Sequence, residues 1–492
     1  MMCLGMFMAI LDVQVVATSI PTIQAALGVP ADQMSWIQTA YLIAEVVAIP
    51  LTGFLTRLLT LRWLFVGAVS LFTFASLGCA ASESFPTLIL WRVVQGFSGG
   101  TLIPAVFSAV FLMFPVRRQG LATTIAGVLA VLAPTVGPIV GGWITQTYSW
   151  HWLFLINALP GVVAAMVASR FLPVAKPNIA EARSLDLTAL ILMAIALASL
   201  VIALKQAPAH GWVSTTVPGL LAGSALAFAG FVRRSLGGQN PVVNLRILRD
   251  PDFALGCLLS FILGIGLFGS VYMMPVFLAQ AHGYGALRIG QIMLVTGLAQ
   301  LMTAPLAVAI EERSSPWLLS LCGFGLFALG LGLSAFQTPT TDFYQMLWPQ
   351  IIRGVAIMFC LLPPTRMALG HLAPDLVPDA SGLFNLMRNL GGAIGLALID
   401  TVLYGRAPVL GAAIITRLQA GDAQTLHDLG LPAGVQVPAT MDVATQALLA
   451  PMIGKLAFVQ AMNEAWALVG LITVVAVITL LVRRLSGKRV NV

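Results

Sequence analysis

The stretch AGVLAVLAPTVGPIVGGW, from Ala126 to Trp143, is apolar throughout and yet carries five residues that normally break helices. These are Pro134, Gly137, Pro138, Gly141 and Gly142. A membrane-spanning helix tolerates such residues, because neighbouring helices satisfy the backbone groups that proline leaves unpaired. Gly137 and Gly141 lie one turn apart, on a face that a second helix can approach closely. We predict a kinked, tightly packed span; an ordinary small-residue packing seam is the alternative.

Composition places the whole chain in the membrane class. Its 492 residues are 59% hydrophobic and only 9% charged, with a mean hydropathy of +0.96. The net charge of +7 could suggest nucleic acid as a partner, but the basic residues concentrate in short connections, where they set orientation in a bilayer. The five cysteines lie in apolar runs without metal-ligand spacing. We therefore expect an all-α polytopic membrane protein with no nucleic-acid partner, metal or cofactor.

Fourteen apolar segments are long enough to cross a bilayer, so we predict about fourteen transmembrane helices. They cover residues 2–23, 33–56, 63–81, 86–114, 121–145, 152–172, 187–206, 217–233, 253–281, 289–310, 317–336, 344–369, 380–403 and 461–482. A signal peptide is the alternative for the first segment, but Asp12 and Gln14 would interrupt its apolar region, and no cleavage site follows. Because the chain opens inside a span, we expect either a trimmed start or an almost absent N-terminal tail.

Charge alternates between successive connections, as an even number of spans requires. The basic residues on one side are Arg57, Arg62, Arg117, Arg118, Lys176, Arg183, Arg233, Arg234, Arg246, Arg249, Arg313, Arg483, Arg484, Lys488 and Arg489. The short loops on the other side hold almost no Lys or Arg. By the positive-inside rule, the basic side and both termini are cytoplasmic.

Two short sequence matches indicate an internal repeat at an offset of about 255 residues. AIPLTGFLTR at 48–57 resembles APLAVAIEER at 304–313, and the glycines from Gly137 resemble those from Gly391. Chance similarity between apolar helices is the alternative. A duplicated transporter bundle with a central substrate path would have this arrangement.

The repeat predicts a division of the chain into three parts. Residues 1–172 form an N-terminal six-helix bundle, and residues 253–492 form a C-terminal one. Residues 173–252 contribute two additional spans and cytoplasmic linkers. The segment 404–460 is an extracytoplasmic insertion, which we expect to be partly helical at the membrane surface and not a separate domain.

Charged residues inside the predicted spans carry the chemistry, because burying them against lipid is costly. Asp12 lies near the middle of the first span and Glu45 near the middle of the second. Gln38, Tyr41 and Thr52 share a helical face with Glu45, and we interpret this face as the lining of a cavity. A desolvated carboxylate accepts a proton readily, so it can take one up from one side and release it to the other. We predict proton coupling or cation binding at both acids; a structural hydrogen bond between helices is the alternative for each.

Buried cations and amides complete the candidate site. Arg92, within WRVVQGFSGG, could pair with backbone carbonyls or with a nearby carboxylate and so control proton release. Arg353 and Arg388 are further intramembrane cations, whose partners the sequence does not identify. The candidate substrate path consists of Gln14, Gln38, Tyr41, Gln95 and Arg388; for Gln95 a packing role is an equal alternative. No catalytic constellation such as a Ser/His pair lies within the spans, so we expect no enzyme activity.

Five motifs in order resemble those of one transporter family. They are LDVQVVATSIP at 11–21, RxxQG at 92–96, GPxxGG at 137–142, WHWLFLINALPG at 150–161 and LFNLMRNLGGAIG at 383–395. Together they resemble the fourteen-span drug:proton antiporters of the major facilitator superfamily, the EmrB/QacA type, and the resemblance covers essentially the whole chain.

The resemblance implies a major facilitator fold of two six-helix bundles plus two extra central spans. It implies that the Gly137-Pro138 span is the antiporter motif, that Asp12 is the first-span acidic residue and that Arg92 is the proton-transfer arginine. It further implies a multi-pass protein of the bacterial cytoplasmic (inner) membrane that exports small amphipathic compounds by alternating access, driven by proton entry.

One motif departs from the family pattern. The family's cytoplasmic loop usually reads GxLaDrxGrk, whereas this chain has GFLTRLLTLR, so Arg57 replaces an Asp and Thr60 replaces a Gly. The loop is therefore expected to be built differently. Exporters of the EmrB type, which share the long last extracytoplasmic loop, work with a periplasmic adaptor protein and an outer-membrane channel, and these are candidate partners here.

Other functions remain open at the level of sequence. A narrow-specificity metabolite exporter or another major facilitator carrier would use the same fold. A passive channel would transport without a proton gradient, and an intramembrane enzyme would need catalytic groups that the spans lack.

Overall fold

The computed structural model describes residues 1–28, 36–178, 185–237, 241–311, 313–431 and 443–485. The α-helices in these ranges are α1 (Met2–Leu27), α2 (Trp36–Ala80), α3 (Phe85–Met113), α4 (Val116–Thr147), α5 (Trp152–Leu155), α6 (Ala158–Phe171), α7 (Leu187–His210), α8 (Thr216–Gly237), α9 (Pro251–His282), α10 (Ala286–Glu311), α11 (Pro316–Leu333), α12 (Phe343–Leu369), α13 (Val377–Gln419), α14 (Ala423–Asp428) and α15 (Val443–Leu485). The basic residues Arg183, Lys488 and Arg489 and the start of the second predicted span lie outside the described residues.

Most of these helices are long and apolar enough to cross a membrane. Eleven helices of the described chain meet this condition, and the bent helix α4 makes a twelfth. The predicted fourteen spans are compatible with this architecture, since α1 and a division of α2 into two segments would supply the remaining two. The polytopic all-α class is therefore confirmed, while the number fourteen stays a prediction.

Helix α2 consists of two segments that run in opposite directions. In α3, Gly96 lies against Tyr41 of the first segment, and Gly100, one turn later, lies against Glu45. The second segment runs the opposite way along α3, since Gly78 lies against Trp91 while the earlier residue Phe72 lies near Gly99. The chain reverses at Thr60, whose backbone angles are φ 70° and ψ 158°. Thr60 has the only positive φ of a non-glycine residue in the described ranges, at the position where the family motif has glycine.

Helix α4 bends by 42° between its segments 117–134 and 136–147, as the density of proline and glycine predicts. Its glycine face packs against α1. Gly137 leaves room for Gln14, and the hydroxyls of Ser19 and Thr145 lie 2.6 Å apart further along the same contact. The bend therefore lies beside the helix that carries Asp12.

Each half of the bundle has its own apolar core, and a third buried cluster with residues of α2, α7, α9 and α13 joins the two halves. In the N-terminal half, residues of α1, α2, α3, α4 and α6 pack around Phe65, Phe72 and Phe107. In the C-terminal half, the core includes Phe324 and Trp466. Helix α7 packs against α8 on one side and against α2 and α13 on the other. The predicted boundaries at residues 172 and 252 stay a prediction.

The described parts of the insertion 404–460 are helical, and its position at the membrane surface stays a prediction. Helix α13 runs without a break to Gln419, and α15 begins at Val443, so both flanking helices continue into the insertion. Each has 43 residues, or about 64 Å, roughly twice the apolar thickness of a bilayer. Apolar side chains at helical spacing, such as Ile414 and Ile453, pack the two extensions together with α14. This packing explains why the segment forms paired helices.

We predict that Thr60→Gly stabilises the protein. A β-branched residue in the left-handed region is strained, and glycine removes that strain. The substitution is expected to raise the free energy of unfolding by about 1 kcal/mol, measured by denaturant unfolding in detergent micelles.

The matched control is Thr56→Gly, one helical turn earlier. Thr56 has helical backbone and donates a hydrogen bond of 2.6 Å to the carbonyl oxygen of Thr52. This variant should lose about 1 kcal/mol, since glycine weakens a helix interior. Equal effects of the two substitutions would contradict the strained turn.

Candidate proton-coupling site

The Asp12 carboxylate lies at the centre of a fully buried polar cluster. Arg92 Nη1 donates to Asp12 Oδ2 at 2.5 Å, and both side chains have 0% exposure. Gln95 Nε2 and Asn157 Nδ2 each donate to Asp12 Oδ1 at 2.9 Å. Helix α1 therefore carries the carboxylate, and its donors come from α3 and from the residue that precedes α6. The three donors favour the charged form of this carboxylate and oppose the cost of its burial.

Arg92 has both kinds of partner that the sequence analysis considered, a carboxylate and a backbone carbonyl. Besides Asp12, its Nε donates to the backbone carbonyl of Ile37 at 3.1 Å, and its Nη1 donates to Gln95 Oε1 at 2.6 Å. The guanidinium also lies over the Tyr41 ring, 4.3 Å from the ring centroid. If Asp12 loses its charge, these groups remain as partners for Arg92.

Tyr41 and Gln95, predicted in the substrate path, belong to this cluster. Both side chains have 0% exposure, and the Tyr41 hydroxyl donates to the carbonyl oxygen of Ala9 at 3.2 Å. Gln95 Nε2 also donates to Ser76 Oγ at 2.8 Å. Both residues lie beside the Asp12–Arg92 pair, and their role in a substrate path stays a prediction.

Ser76 and Asn157 are members of the site that the sequence analysis did not identify. Asn157 lies within the motif at 150–161, as its only amide among apolar neighbours, which was the available signal. Ser76 had no such signal, since hydroxyls are common in membrane helices and often bond to their own backbone. Its own hydroxyl does this as well, donating to the carbonyl oxygen of Phe72 at 2.9 Å.

Glu45 lies one helical turn beyond Tyr41 and differs from Asp12 in its surroundings. Its side chain is 5% exposed, and none of the described residues donates a hydrogen bond to its carboxylate. Gly100 of α3 packs directly against the Glu45 backbone, so the two helices are in close contact there. Glu45 also lies within electrostatic range of Arg92 and Asp12. Of the two acids, Glu45 is the one that is not held by donors.

The other predicted residues have mixed positions. Gln14 packs against Gly137, and Gln38 is half-buried on α2. Arg388 lies between the two halves, where it donates to Asn385 Oδ1 and faces the Phe107 ring. Of the motif residues in α4, four are buried and Pro134 is half-buried. They position α1 beside α4 and contribute no charged group.

A second ion pair joins the two halves at the basic side, defined here by the α2 turn 57–62. Arg57 of the N-terminal half donates to Asp379 at the start of α13. The Asp379 side chain is 3% exposed and that of Arg57 is 30% exposed. Gly53 packs against Asp379, and Ser381 Oγ donates to the carbonyl oxygen of Pro104 at 2.8 Å. The arginine that departs from the family motif therefore has an acidic partner in the other half.

Comparison with known proteins agrees with this architecture. The sequence model of the Major Facilitator Superfamily matches residues 2–396. The chain is 36% identical over 405 residues to the colistin resistance protein EmrB of Acinetobacter baumannii. The matched region covers 82% of this chain and 79% of that protein. It is 30% identical over 405 residues to the multidrug export protein EmrB of Escherichia coli K12, again covering 82% and 79%. The human organic anion transporter MFSD10 has a TM-score of 0.62 at 14% identity, covering 97% of each chain, which shows the fold alone.

These matches and the two-bundle architecture identify a multi-pass membrane transporter, and the chain belongs to the major facilitator superfamily. Within that superfamily it groups with the exporters of the EmrB type. The family resemblance inferred from the five motifs is therefore confirmed. The roles of individual residues stay predictions.

We predict that Arg57→Asp destabilises the contact between the halves, although it restores the residue that the family motif has. The new carboxylate would face the buried Asp379, and two like charges there should cost about 3 kcal/mol of unfolding free energy. The exchange Arg57→Asp with Asp379→Arg should recover most of this loss, because it restores an ion pair.

The measurement is a double-mutant cycle on thermal unfolding of the detergent-purified protein. The control is Arg234→Asp, since Arg234 pairs with Asp186 where both side chains are well exposed, and exposed pairs contribute little. A double variant no more stable than the single ones would show that the pair is not what joins the halves here.

Proposed function

We propose that this protein is a proton-coupled exporter of amphipathic small molecules that works by alternating access. The observation that carries the proposal is the buried Asp12–Arg92 pair with the unbonded acid Glu45 beside it. A buried charged pair is costly to maintain in a membrane protein and therefore indicates function. The EmrB relatives, one of them named a multidrug export protein, support export as the direction of transport.

The two acids have different tasks in this proposal. Glu45 exchanges its proton first, since no donor holds its carboxylate. Its change of charge acts on Arg92, which shifts between Asp12 and its other acceptors, the Ile37 carbonyl and Gln95. Once Arg92 releases Asp12, that carboxylate can be protonated in turn. The rearrangement lies between α1, α2 and α3, so protonation can change how the N-terminal half packs.

The membrane arrangement follows from the charges. We infer a bacterial cytoplasmic membrane with the basic side and both termini in the cytoplasm. The paired extensions of α13 and α15 would then project on the opposite side. They expose apolar residues, including Tyr404, Val409 and Leu448, as a surface suited to a protein partner. A periplasmic adaptor with an outer-membrane channel is the partner we propose for this surface.

Substrate-triggered proton release from proteoliposomes tests the function. Vesicles with an acidic interior and trapped pyranine receive a cation (ethidium), a neutral compound (chloramphenicol) or an anion (2-naphthoate). For the wild type we expect at least one compound to trigger proton movement. Glu45→Gln should fold normally and lose about tenfold or more of this coupled flux, a typical loss for a positioned proton-transfer group.

Asp12→Asn should also lose coupled flux, but at a cost in stability of about 3–5 kcal/mol, because it leaves Arg92 buried without its carboxylate. Thr52→Ala serves as the folded control, since Thr52 lies on the Glu45 face and is not an acid. An ionophore that collapses the proton gradient should stop transport by the wild type, whereas a passive channel would continue to transport. Full coupled flux in both acid variants would overturn the assignment of the site.

A further inference from the structure

The C-terminal half repeats part of the Asp12 cluster at a constant offset of 258 residues. Gln95 corresponds to Arg353 and Ser76 corresponds to Ser334, and the contact is repeated as well. Gln95 Nε2 donates to Ser76 Oγ at 2.8 Å, and Arg353 Nη1 donates to Ser334 Oγ at 3.2 Å. Gly96 and Gly354, which follow Gln95 and Arg353, also correspond. Each lies directly against a backbone carbonyl of a neighbouring helix.

The repeated cluster keeps a cation, but the described structure places no acid in it. At the offset of 255 residues that relates Pro50 to Pro305, the counterpart of Glu45 is Gln300. Helix α9, which is adjacent to Arg353, has no Asp or Glu after Asp252 at its start. Within the described ranges, no carboxylate forms an ion pair with Arg353, although its side chain is only 3% exposed. Its guanidinium lies over the Trp466 ring, 4.7 Å from the centroid.

Arg353 faces a cavity of about 250 Å³. Thr338 and Thr341, in the connection between α11 and α12, are among the residues that line it. This connection is on the side opposite the basic side, because α12 ends at the basic side, where Arg366 pairs with Glu311 at 3.6 Å. The cavity therefore lies toward the side to which an exporter releases its substrate.

A second buried polar group, the Gln350 amide, lies one helical turn from Arg353 on α12. Gln350 is 1% exposed, and its Nε2 donates no hydrogen bond within the described structure, while its Oε1 accepts one from Thr296 at 3.3 Å. Gln350 and Arg353 both line a small recess with Ser270 and apolar residues such as Met274 and Ile357. Met274 also lines the larger cavity, so the two spaces share a wall. A guanidinium and an amide donor thus meet an apolar surface.

We propose that Arg353 and Gln350 bind the carboxylate of an amphipathic organic acid, which is exported with its apolar part against Met274 and Ile357. The inference rests on the proposed export function and specifies a substrate class for it. A carboxylate would supply a negative charge beside Arg353 and would accept hydrogen bonds from both donors. Arginine suits this purpose because its planar donors match a carboxylate.

The test compares two isosteric probes, 2-naphthoate and the neutral 2-naphthamide, at pH 8. Equilibrium binding of radiolabelled 2-naphthoate to the full-length purified protein is measured, with the amide as competitor. The wild type should prefer the acid by about tenfold or more, as expected for a charged hydrogen bond. Arg353→Gln should lose this preference, and Arg353→Lys should retain part of it.

Ser270→Asp provides an independent variant that is expected to fold, because it places the missing carboxylate beside Arg353. It should abolish the preference for 2-naphthoate, whereas the uncharged Ser270→Asn should keep it. If Arg353→Gln and Ser270→Asp both keep the preference, or if the wild type shows none, the inference is overturned. Proton release triggered by ethidium or chloramphenicol would in that case leave the export function standing, and its absence with all three compounds would reject the function itself.

Discussion

The buried ion pair between Asp12 and Arg92 is the constraint on which the N-terminal half depends. Neither side chain reaches solvent, and removing either one would leave an uncompensated charge at a cost of several kcal/mol. The surrounding structure is consistent with this requirement. Asn157 and Gln95 complete the bonding of the carboxylate, while glycines at Gly96 and Gly100 let α3 approach α2 closely enough to hold Arg92 in place. The bent α4 packs against α1, which carries the acid.

The two halves share an architecture but differ in charge, and this difference gives each a task. The N-terminal half holds two acids around one arginine, an arrangement that can gain and lose protons. The C-terminal half has an arginine, Arg353, in a shifted position and has Gln300 in place of Glu45. Among the described residues, no carboxylate pairs with Arg353. We therefore propose proton exchange for the first half and anion binding for the second. The Arg57–Asp379 pair and Ser381 join the halves, so a change in one half can reach the other.

The sequence predicted the class, the kinked helix and the central charges, because helical period, span length and the cost of burying charge act locally. It did not predict the partners of those charges. Asn157 lies 145 residues from Asp12, and Asp379 lies 322 residues from Arg57, so only the folded bundle brings them together. The loop departure at Thr60 was visible, but its positive φ depends on how two segments of α2 reverse. The insertion 404–460 was judged from its Gly and Pro content, whereas its apolar packing decides its structure.

The central claim is that Glu45 exchanges a proton while Asp12 is held charged by Arg92. Infrared difference spectroscopy of the reconstituted protein, recorded between low and high pH in water and in heavy water, tests this claim directly. The account predicts a protonated-carboxyl band that changes with pH, shifts in heavy water and is absent from Glu45→Gln. The same band retained in Glu45→Gln but lost in Asp12→Asn would contradict the account and assign the first exchange to Asp12.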